Sequence, residues 1–573
     1  MTREELKEKQ RIERDACLQD ILKSPSKKKM IVAGPGTGKT FAFSRVLDSN
    51  GGANNIAMTF IKKLSDDMDH AFGNVAEVKT FHAYCKKILH EQNGRVDLVP
   101  YLTQVIEKDV EVLGEVYSEF DAKFQNLEED SPAITFYLER GDYYEVVSFN
   151  DSVYRLYKAL QADEDIVPEF DQILIDEFQD FNQLEVAFIG ELEKKGPILI
   201  VGDDDQAIFD DRFASPDYLR ERYESGEYKT FELPFCGRCP EVIVNATNAI
   251  ITETQKLGGF DGRIPKRYEC YIPDKESDSN RYPKIIAAHC TNAQTVANYV
   301  KKSIGIIDGD DIAESWVEGK EYPTVLIVGA KQYLTKIEKE LNEDYPQLKY
   351  TKPGERGYGV VEGYKQLLTV QDSNLGWRIL AEFFLSTEEF EVILTNSLDG
   401  TPIVQLLDDE FINAHRRVLE IIQLIKTGEE LPKKLKIELK HIVDNCSKDI
   451  LDWFSPVDEE EVVVDKTLPS ILLTSFKGCK GLSAGHVFIV GANNGSIPVD
   501  PRGIKDVEIG QFIVALTRTR KQCHIIANKW LYSPKDDNGK WIPQFKRTVF
   551  LDFIPAELTN DLGELNAKKI EAI

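Results

Sequence analysis

The sequence predicts an α/β fold with doubly wound parallel sheets. Short apolar runs typical of buried strands, such as 30–32 and 172–175, alternate with segments of helical periodicity. A glycine-rich loop joins the first strand to the next helix, and acids or amides follow two later strands. Parallel sheets bring such segments together at one edge, where α/β proteins bind ligands.

The composition is that of an ordinary soluble protein. The 573 residues are 42% hydrophobic and 29% charged, and the length suggests about three or four domains. The chain starts with a charged segment and has no long apolar run, so we expect a cytoplasmic protein, nucleoid-associated if bacterial, without a membrane partner. A net charge of −27 argues against nonspecific coating of nucleic acid, and it leaves a narrow basic groove as the alternative.

Changes in composition divide the chain into two α/β units, each interrupted by a mostly helical insertion. The first unit covers 1–90 and 171–228 around an insertion at 91–170. The second covers 229–373 and 467–540 around an insertion at 374–466, which is too long for a plain loop, and 541–573 is a tail. The expected strands of the second unit are 230–233, 284–289, 324–328, 470–474, 487–490 and 524–527.

The loop after the first strand has the spacing of a phosphate-binding site. It consists of Gly34, Pro35, Gly36, Thr37, Gly38, Lys39 and Thr40. Glycines let backbone N–H groups face a phosphate chain, Lys39 can reach the β and γ phosphates, and the Thr40 hydroxyl can hold Mg2+. The pattern predicts binding of a nucleoside triphosphate, with a flexible surface loop as the alternative.

Polar residues after two later strands predict hydrolysis of that triphosphate. Asp176 can hold Mg2+, and Glu177 can orient and deprotonate the attacking water. Gln206, after the next strand, can sense the γ phosphate. Without the glycine loop, the acids would be interpreted as a solvated surface pair and the glutamine as a loop amide.

Nine cysteines are scattered along the chain without the spacing of a disulfide framework. Cys236 and Cys239 form the one close pair, and Cys270 and Cys290 could in principle complete a zinc site with them. That spacing matches no zinc ribbon or finger, so buried or incidental thiols are the favoured interpretation.

Four motifs occur in a fixed order: the glycine loop, Asp176-Glu-Phe-Gln-Asp180, Val201-Gly-Asp-Asp-Asp-Gln-Ala-Ile208 and Val514-Ala-Leu-Thr-Arg518-Thr-Arg520. Together they resemble the UvrD/Rep/PcrA group of superfamily 1A DNA helicases. The resemblance implies two RecA-like P-loop NTPase domains (1A and 2A) with ATP between them. It also implies 1B-like and reduced 2B-like insertions, single-stranded DNA across the domain tops, and 3'-to-5' movement.

The resemblance also implies roles for residues matched by position. Arg238 and Arg518 would reach the γ phosphate from the second domain, and Gln19 would read adenine, with Gln10 as a competing candidate. The implied DNA contacts are Thr59, Phe60, Lys63, Thr80, Phe81, His82, Lys477 and Lys480. Without the resemblance, both phenylalanines would be assigned to the core.

Several positions depart from the family pattern. Gly237 replaces a tyrosine that packs on adenine, so the strictness of the ATP preference stays open. Asp211 replaces a base-stacking aromatic, and Lys477 and Ser483 stand where His and Glu are usual. The short second insertion leaves duplex engagement open.

We therefore expect an ATP-dependent 3'-to-5' single-stranded DNA translocase or helicase that uses Mg2+ and acts in DNA repair, recombination or defence. Its expected partners are single strands, single/double-strand junctions, and a nuclease or loading protein on a separate chain. The alternatives are an ATP-gated scaffold subunit of a multiprotein complex and a translocase without productive unwinding. A P-loop kinase or GTPase fits the Asp176-Glu177 pair and the paired arginines less well.

Overall fold

Two parallel β-sheets organise the structure, which confirms the predicted α/β class. The computed structural model describes residues 2–59, 62–94, 96–319, 321–351, 357–428, 430–456, 464–533, 535 and 544–572. Most central strands of both sheets are continuous apolar runs, because helices cover both faces of each sheet. None of the helices in these ranges combines the length and apolar character needed to cross a bilayer.

The first domain and its insertion make up the first part of the chain. Before the insertion lie α1 (Arg3–Lys23), β1 (Lys28–Val32), α2 (Lys39–Asn50), β2 (Asn55–Thr59), α3 (Lys62–Phe72), β3 (Glu77–Thr80) and α4 (Phe81–Asn93). The first insertion contains β4 (Asp97–Leu98), α5 (Leu102–Leu113), α6 (Phe120–Gln125), α7 (Pro132–Tyr144), β5 (Val146–Val147) and α8 (Phe149–Ala162). The domain resumes with β6 (Gln172–Ile175), α9 (Gln183–Leu192), β7 (Ile198–Gly202), α10 (Asp217–Ser225) and β8 (Lys229–Glu232).

The first sheet has the strand order β3-β2-β6-β7-β1-β8, with all neighbours parallel. Because β6, β7 and β1 are adjacent, the segments that follow them end at the same edge of the sheet. These segments are the Asp176-Glu177 pair, the loop 203–206 and the glycine loop. The topology therefore assembles three motifs that are far apart in sequence.

The second domain and its insertion follow. The domain begins with β9 (Phe235–Cys236), α11 (Glu241–Lys256), β10 (Glu269–Cys270), α12 (Ile272–Arg281), β11 (Ile285–Cys290), α13 (Ala293–Ile304), α14 (Gly309–Ser315), β12 (Val325–Val328), α15 (Lys331–Leu341) and β13 (Lys349–Tyr350). The second insertion contains α16 (Val360–Thr369), α17 (Asn374–Phe384), α18 (Thr387–Ser397), α19 (Ile403–Leu406), α20 (Asp409–Ile425), α21 (Lys433–Val443) and α22 (Ser447–Phe454). The chain then forms β14 (Ile471–Thr474), β15 (Ala484–Val490), α23 (Asp506–Leu516), β16 (Thr519–Asn528), α24 (Phe550–Phe553), β17 (Thr559–Leu565) and α25 (Ala567–Glu571).

The second sheet is also parallel, in the order β13-β14-β12-β15-β16-β11-β17. Its edge strand β17 lies in the segment 541–573, expected to be a tail, and pairs with β11. The strand was hard to predict because its sequence Thr-Asn-Asp-Leu-Gly-Glu-Leu has no apolar run. The C-terminal segment is therefore part of the second domain.

Two predicted domain boundaries differ from the structure. Strand 230–233, expected in the second unit, corresponds to β8, which pairs with β1 of the first sheet. Helix α16 shares an apolar core with α17 to α22, so the second insertion begins before residue 374. Both differences arise because local sequence predicts a strand or helix but does not say which neighbour it joins.

A buried charge network joins the two insertions. The two oxygens of the Asp109 carboxylate on α5 contact different arginines: Oδ1 lies 2.7 Å from Arg378 Nη2 on α17, and Oδ2 lies 3.2 Å from Arg140 Nη2 on α7. Asp109 and Arg378 are fully buried, and Arg140 is 3% exposed. Arg140 also donates to Ser397 of α18, across 3.2 Å. The insertions are thus held together by a shared carboxylate.

Candidate nucleotide cleft and nucleic-acid groove

The glycine loop has the backbone geometry of an anion site. Gly36 and Gly38 have φ values of 73° and 95°, in the left-handed region that favours glycine. Thr37 Oγ1 donates to the Gly34 carbonyl across 2.9 Å and closes the loop. Helix α2 begins at Lys39, so its free N–H groups and the positive end of its dipole lie at the loop.

The second domain packs directly on this loop. The Tyr268 hydroxyl donates to the Pro35 carbonyl (3.1 Å), and the Gly237 N–H donates to the Gly36 carbonyl (3.0 Å). A Cβ on Gly34 would lie 2.6 Å from the Tyr268 ring, and one on Gly36 would lie 2.6 Å from Arg238 Cβ. The approach of the second domain therefore favours glycine at both positions, and at Gly36 the backbone conformation favours it as well.

Glu177 is held firmly beside Lys39. Its Oε1 lies 3.2 Å from Lys39 Nζ, and its Oε2 accepts a 2.6 Å hydrogen bond from the Gln179 amide. Gln179 in turn accepts from the Asp203 N–H across 2.9 Å. Glu177 has a φ of 52°, uncommon for a residue with a side chain, and such strain concentrates at functional sites.

Burial and neighbouring charges shift the pKa values of Asp176 and Glu177 in opposite directions. Burial and the Glu177 charge raise the pKa of Asp176 to about 7. Burial also opposes ionisation of Glu177, but Lys39 and Lys480 outweigh it and lower the pKa of Glu177 to about 2. Glu177 is therefore ionised at neutral pH, as a proton acceptor must be.

Arg238 and Arg518 of the second domain, together with Arg520, line the same cleft, which has a volume of about 330 Å³. Arg518 is 3% exposed, and its Nη2 lies 3.2 Å from the Gln206 side-chain oxygen. Arg238 donates weakly to the Thr517 carbonyl, at 3.5 Å. Burial and the nearby Arg238 lower the pKa of Arg518 to about 10. The structure thus brings Lys39, Glu177, Gln206, Arg238 and Arg518 together.

Lys480 is buried beside this cleft and does not lie on an exposed DNA-contacting loop. Its side chain is 1% exposed, and its Nζ lies 2.6 Å from Asp180 Oδ2 and 2.6 Å from the Gln206 carbonyl. A DNA contact needs an accessible ammonium group, whereas the ammonium group of Lys480 is buried against Asp180 of the first domain. Lys480 is therefore an interdomain contact beside Glu177.

The cleft residues fit a magnesium ion on chemical grounds. The Thr40 hydroxyl and the buried Asp176 carboxylate both line the cleft and are oxygen ligands of the kind that Mg2+ prefers. A second acidic group, Asp203, Asp204 and Asp205, also lies close together. Lys266 of the second domain already lies 2.8, 2.5 and 3.0 Å from these three carboxylates, so that group forms an interdomain ion cluster.

The glutamine expected to read adenine does not line the cleft. Gln19 is exposed on α1, whereas the buried Gln10 donates to the Cys270 carbonyl and accepts from the Ile272 N–H. Arg14 of the same helix lines the cleft beside Gly237, with its guanidinium 4.3 Å from the Tyr271 ring centre. A planar cation backed by an aromatic ring offers a flat surface to a base.

A separate groove of about 830 Å³ lies between the first domain and its insertion. Thr80 and His82 line it, together with the basic residues Lys62, Lys79, Lys86 and Arg212. Phe149, at the start of α8, is 39% exposed and lies 5.0 Å from the His82 ring. Burial and Arg212 lower the pKa of His82 to about 3, so this ring is neutral at physiological pH.

The remaining implied DNA contacts have other surroundings. Phe81 is fully buried against Phe181 and Phe188, as the core interpretation predicted, and has no exposed face for a base. Thr59 is also fully buried. Lys63 is exposed on α3, and Phe60 lies outside the described residues.

Lys477 and Asp211, two positions that depart from the family pattern, contact each other. The Lys477 ammonium lies 2.6 Å from the Asp211 carboxylate. One residue follows β14 of the second domain, and the other belongs to the first. Where the family has an aromatic, this chain therefore has an interdomain ion pair.

The zinc interpretation receives no support. Among the described residues, the one group whose ligand atoms gather closely enough for a metal is the aspartate cluster 203–205. Cys236, Cys239, Cys270 and Cys290 are buried thiols, as the favoured interpretation predicted.

Several residues at these sites were missed from the sequence. Gln179 and Asp180 belong to a recognised motif, and their spacing from Glu177 could have suggested supporting roles. Tyr268, Arg14 and Phe149 carry no local signal, because their positions depend on packing between domains.

Comparison with known proteins agrees with this architecture. The family described as an AAA domain matches residues 19–211. A probable DNA helicase II homolog of Mycoplasma genitalium is 20% identical over 91% of this chain and 86% of its own length. The ATP-dependent DNA helicase UvrD1 of Mycobacterium bovis is 24% identical over 44% of this chain and 41% of its own length.

A shorter similarity involves a much larger protein. An ATP-dependent helicase/nuclease subunit from Ligilactobacillus salivarius is 28% identical over 26% of this chain, and the match spans 12% of the relative's length. The AAA domain, the helicase II similarity along most of the chain and the two-domain cleft agree with one another. The chain is therefore similar to UvrD/Rep-like superfamily 1 helicases along most of its length.

Proposed function

We propose that this protein is an ATP-dependent 3'-to-5' single-stranded DNA translocase and helicase acting in DNA repair, recombination or defence. The observation that carries the proposal is the composition of the nucleotide cleft. Lys39 and Glu177 come from the first domain, whereas Arg238 and Arg518 come from the second. A triphosphate bound there would contact both domains, so its hydrolysis would change their relative position.

In this mechanism each cleft residue has a separate task. The loop N–H groups, Lys39 and Thr40 hold the phosphates, and Glu177 accepts a proton from the attacking water while Gln179 fixes its orientation. Arg518 and Arg238 neutralise charge that develops on the γ phosphate. Mg2+, held by Thr40 and Asp176, would supply additional positive charge at the phosphates.

The groove beside Phe149 supports single-stranded DNA as the second ligand. Its lysines can pair with phosphates, and the exposed ring can stack on a base. The groove is bounded by the first domain and its insertion, so DNA bound there would contact both of these parts of the chain.

The deciding experiment is ATP hydrolysis with and without single-stranded DNA, for wild type and Glu177→Gln. Wild type should be stimulated by DNA, and the variant should bind ATP but lose roughly 10²-fold or more in rate, because its amide cannot accept the proton. Absence of DNA stimulation in wild type would contradict the motor proposal and favour the ATP-gated scaffold role.

A translocase without productive unwinding is the second candidate. The Lys477–Asp211 ion pair favours it, because that pair stands where a base-stacking aromatic is usual. A strand-displacement assay run beside a translocation assay on the same protein separates the two. The similarity to a helicase/nuclease protein supports a nuclease or loading protein as a partner, which a pull-down with the full chain can test.

A further inference from the structure

Two cysteines flank Arg238 in the segment that enters the nucleotide cleft. Cys236-Gly237-Arg238-Cys239 connects strand β9 to helix α11, and both thiols are fully buried. A C-x-x-C sequence between a strand and a helix is an arrangement typical of thiol–disulfide redox pairs.

The contacts of the two thiols give them different chemistry. The Cys239 N–H donates to Cys236 Sγ across 3.4 Å, so the first sulfur already lies against the backbone of the second residue. Burial opposes ionisation of Cys236, but hydrogen bonding that includes this N–H donation outweighs burial and lowers the pKa of Cys236 to about 6, whereas burial raises the pKa of Cys239. Cys236 is therefore the nucleophile, and Cys239 is the resolving thiol.

Both sulfurs are tied to the nucleotide cleft. A Cβ on Gly36 would lie 3.1 Å from Cys236 Sγ, so this sulfur packs against the glycine loop. Cys239 Sγ donates to the Thr517 carbonyl across 3.3 Å, and Arg238 Nη1 approaches the same oxygen. A change at either sulfur therefore acts on the residues that position Arg238.

We propose that Cys236 and Cys239 form a redox-sensitive dithiol whose oxidation by a peroxide to a disulfide withdraws Arg238 from the cleft and stops ATP hydrolysis. To form the S–S bond, Cys239 must release the Thr517 carbonyl, and the short loop around Arg238 must close. The effect on hydrolysis rests on the proposed function of Arg238. Formation of the disulfide does not depend on that function.

The reaction balances with hydrogen peroxide as oxidant. The Cys236 thiolate attacks one peroxide oxygen, the O–O bond breaks, and a sulfenic acid and hydroxide form. The Cys239 thiol then attacks the sulfenic sulfur, the S–S bond forms, and the S–O oxygen leaves as water. Two thiols thus lose two electrons and two protons, and one peroxide becomes two waters.

Domain closure controls access to the pair. Gly36 of the first domain lies over Cys236, and Gly237 and Arg238 form the cleft wall above both sulfurs. Separation of the domains is therefore needed before peroxide can reach Cys236. A saturating non-hydrolysable ATP analogue should slow disulfide formation at least several-fold, and an unchanged rate would contradict this route of access.

The test maps the disulfide directly in the full chain. Protein freed of reductant is treated with hydrogen peroxide, alkylated and digested with trypsin, which cleaves after Arg238 and separates the two cysteines unless a disulfide links them. We expect linked peptides and a loss of ATPase activity of at least about 10-fold that dithiothreitol reverses. Absence of linked peptides would overturn the dithiol.

Matched variants assign the effect to this pair. Each protein is compared with itself before and after peroxide. Cys239→Ser should lose the reversible inactivation, and Cys446→Ser, which changes a partly exposed thiol in the second insertion, should keep it. Equal reversible inactivation of Cys239→Ser and wild type would overturn the proposal.

The two proposals fail in different ways. If reduced wild type hydrolyses no ATP, the proposed function fails, yet linked peptides would still support the dithiol. If the disulfide forms and ATPase activity is unchanged, the control of Arg238 is overturned while the ATPase proposal stands.

Discussion

The nucleotide cleft and the interface between the insertions both join separate parts of the chain through buried charges, but they arrange those charges in opposite ways. At the insertions, one carboxylate, Asp109, lies between Arg140 and Arg378, so opposite charges alternate. At the cleft, like charges adjoin: Asp176 beside Glu177, and Arg238 beside Arg518. The first arrangement suits a permanent contact, and the second suits a contact that a charged ligand completes.

The pKa values express this difference. Burial together with a like-charged neighbour raises the pKa of Asp176 and lowers the pKa of Arg518, so the charged forms of these two groups are disfavoured by their surroundings. Binding of a metal and a triphosphate would relieve both effects. Substitutions at the cleft should therefore mainly change activity, and those at the insertions should mainly change stability.

The largest expected effect is that of Arg518→Ala. Removing this buried arginine should lower DNA-stimulated ATPase kcat by roughly 10³-fold or more, because such arginines stabilise charge in the transition state. The thermal midpoint should change little compared with the loss of rate. Arg502→Ala is the matched control, since the Arg502 side chain is 90% exposed. A loss below 10-fold would remove Arg518 from the catalytic set.

Asp109→Ala tests the other side of the comparison. Loss of the shared carboxylate leaves Arg140 and Arg378 buried without it, so the variant should be destabilised by roughly 3–5 kcal/mol in urea unfolding. Asp372→Ala removes an exposed pair with Arg416 and should cost less than about 1 kcal/mol. Equal effects of the two variants would mean that the insertion interface is not a permanent contact.

Asp180→Asn tests whether a buried carboxylate at the cleft makes the stability of the protein depend on pH. Burial raises the pKa of Asp180 to about 6, even though Lys480 lies beside it. A raised folded-state pKa means that the stabilising contribution is fully present below the unfolded-state pKa and is lost as pH rises through about 6. Wild type should therefore lose up to roughly 3 kcal/mol relative to the variant as the pH rises from about 4 to above 7.

Unfolding midpoints of both proteins across this pH range provide the measurement. Asp372→Asn, at an exposed carboxylate, should follow wild type. If Asp180→Asn shows the same pH dependence as wild type, then Asp180 is not the group that links cleft charge to stability.

Phe149→Ala should have the smallest effect of these substitutions. It tests whether the first insertion contributes to binding of single-stranded DNA. Loss of a stacking ring should weaken single-stranded DNA binding by about 1–3 kcal/mol, or roughly 5- to 150-fold, without changing ATPase activity in the absence of DNA. Fluorescence anisotropy with a labelled oligonucleotide measures this. Tyr532→Ala, another exposed aromatic, is the control, and an equal effect of both variants would exclude specific stacking at Phe149.

Local motifs made the phosphate side of the cleft predictable from sequence. Lys39, Asp176 and Gln206 each follow or adjoin an apolar strand, and a parallel sheet forces the carboxyl ends of those strands to one edge. The α/β class followed from the same alternation. The predicted strands and helices did not show which neighbouring elements they pack against. Strand β8 pairs with the first sheet, and helix α16 packs with the second insertion, although the sequence assigned both to the second domain.

Long-range packing explains what sequence could not reveal. Asp109 and Arg378 are 269 positions apart, and neither lies in a pattern that distinguishes it from a solvated surface charge. The family resemblance implies a DNA contact for Lys480, whereas its ammonium group is buried against Asp180 of the other domain, and no local pattern marks that interdomain pair. Phe149 differs from the buried aromatics of its insertion only through its position at the groove.

The cluster around Lys266 constrains how this sequence can evolve. One ammonium group contacts the carboxylates of Asp203, Asp204 and Asp205 across the domain boundary. A neutral residue at 266 would remove a positive charge that three adjacent buried acids share, which would destabilise the protein. The destabilisation would be smaller if one of the three acids had already been replaced. These four positions, 61 or more residues apart across the boundary, should therefore show strong epistasis, with the order of substitutions deciding which sequences remain accessible.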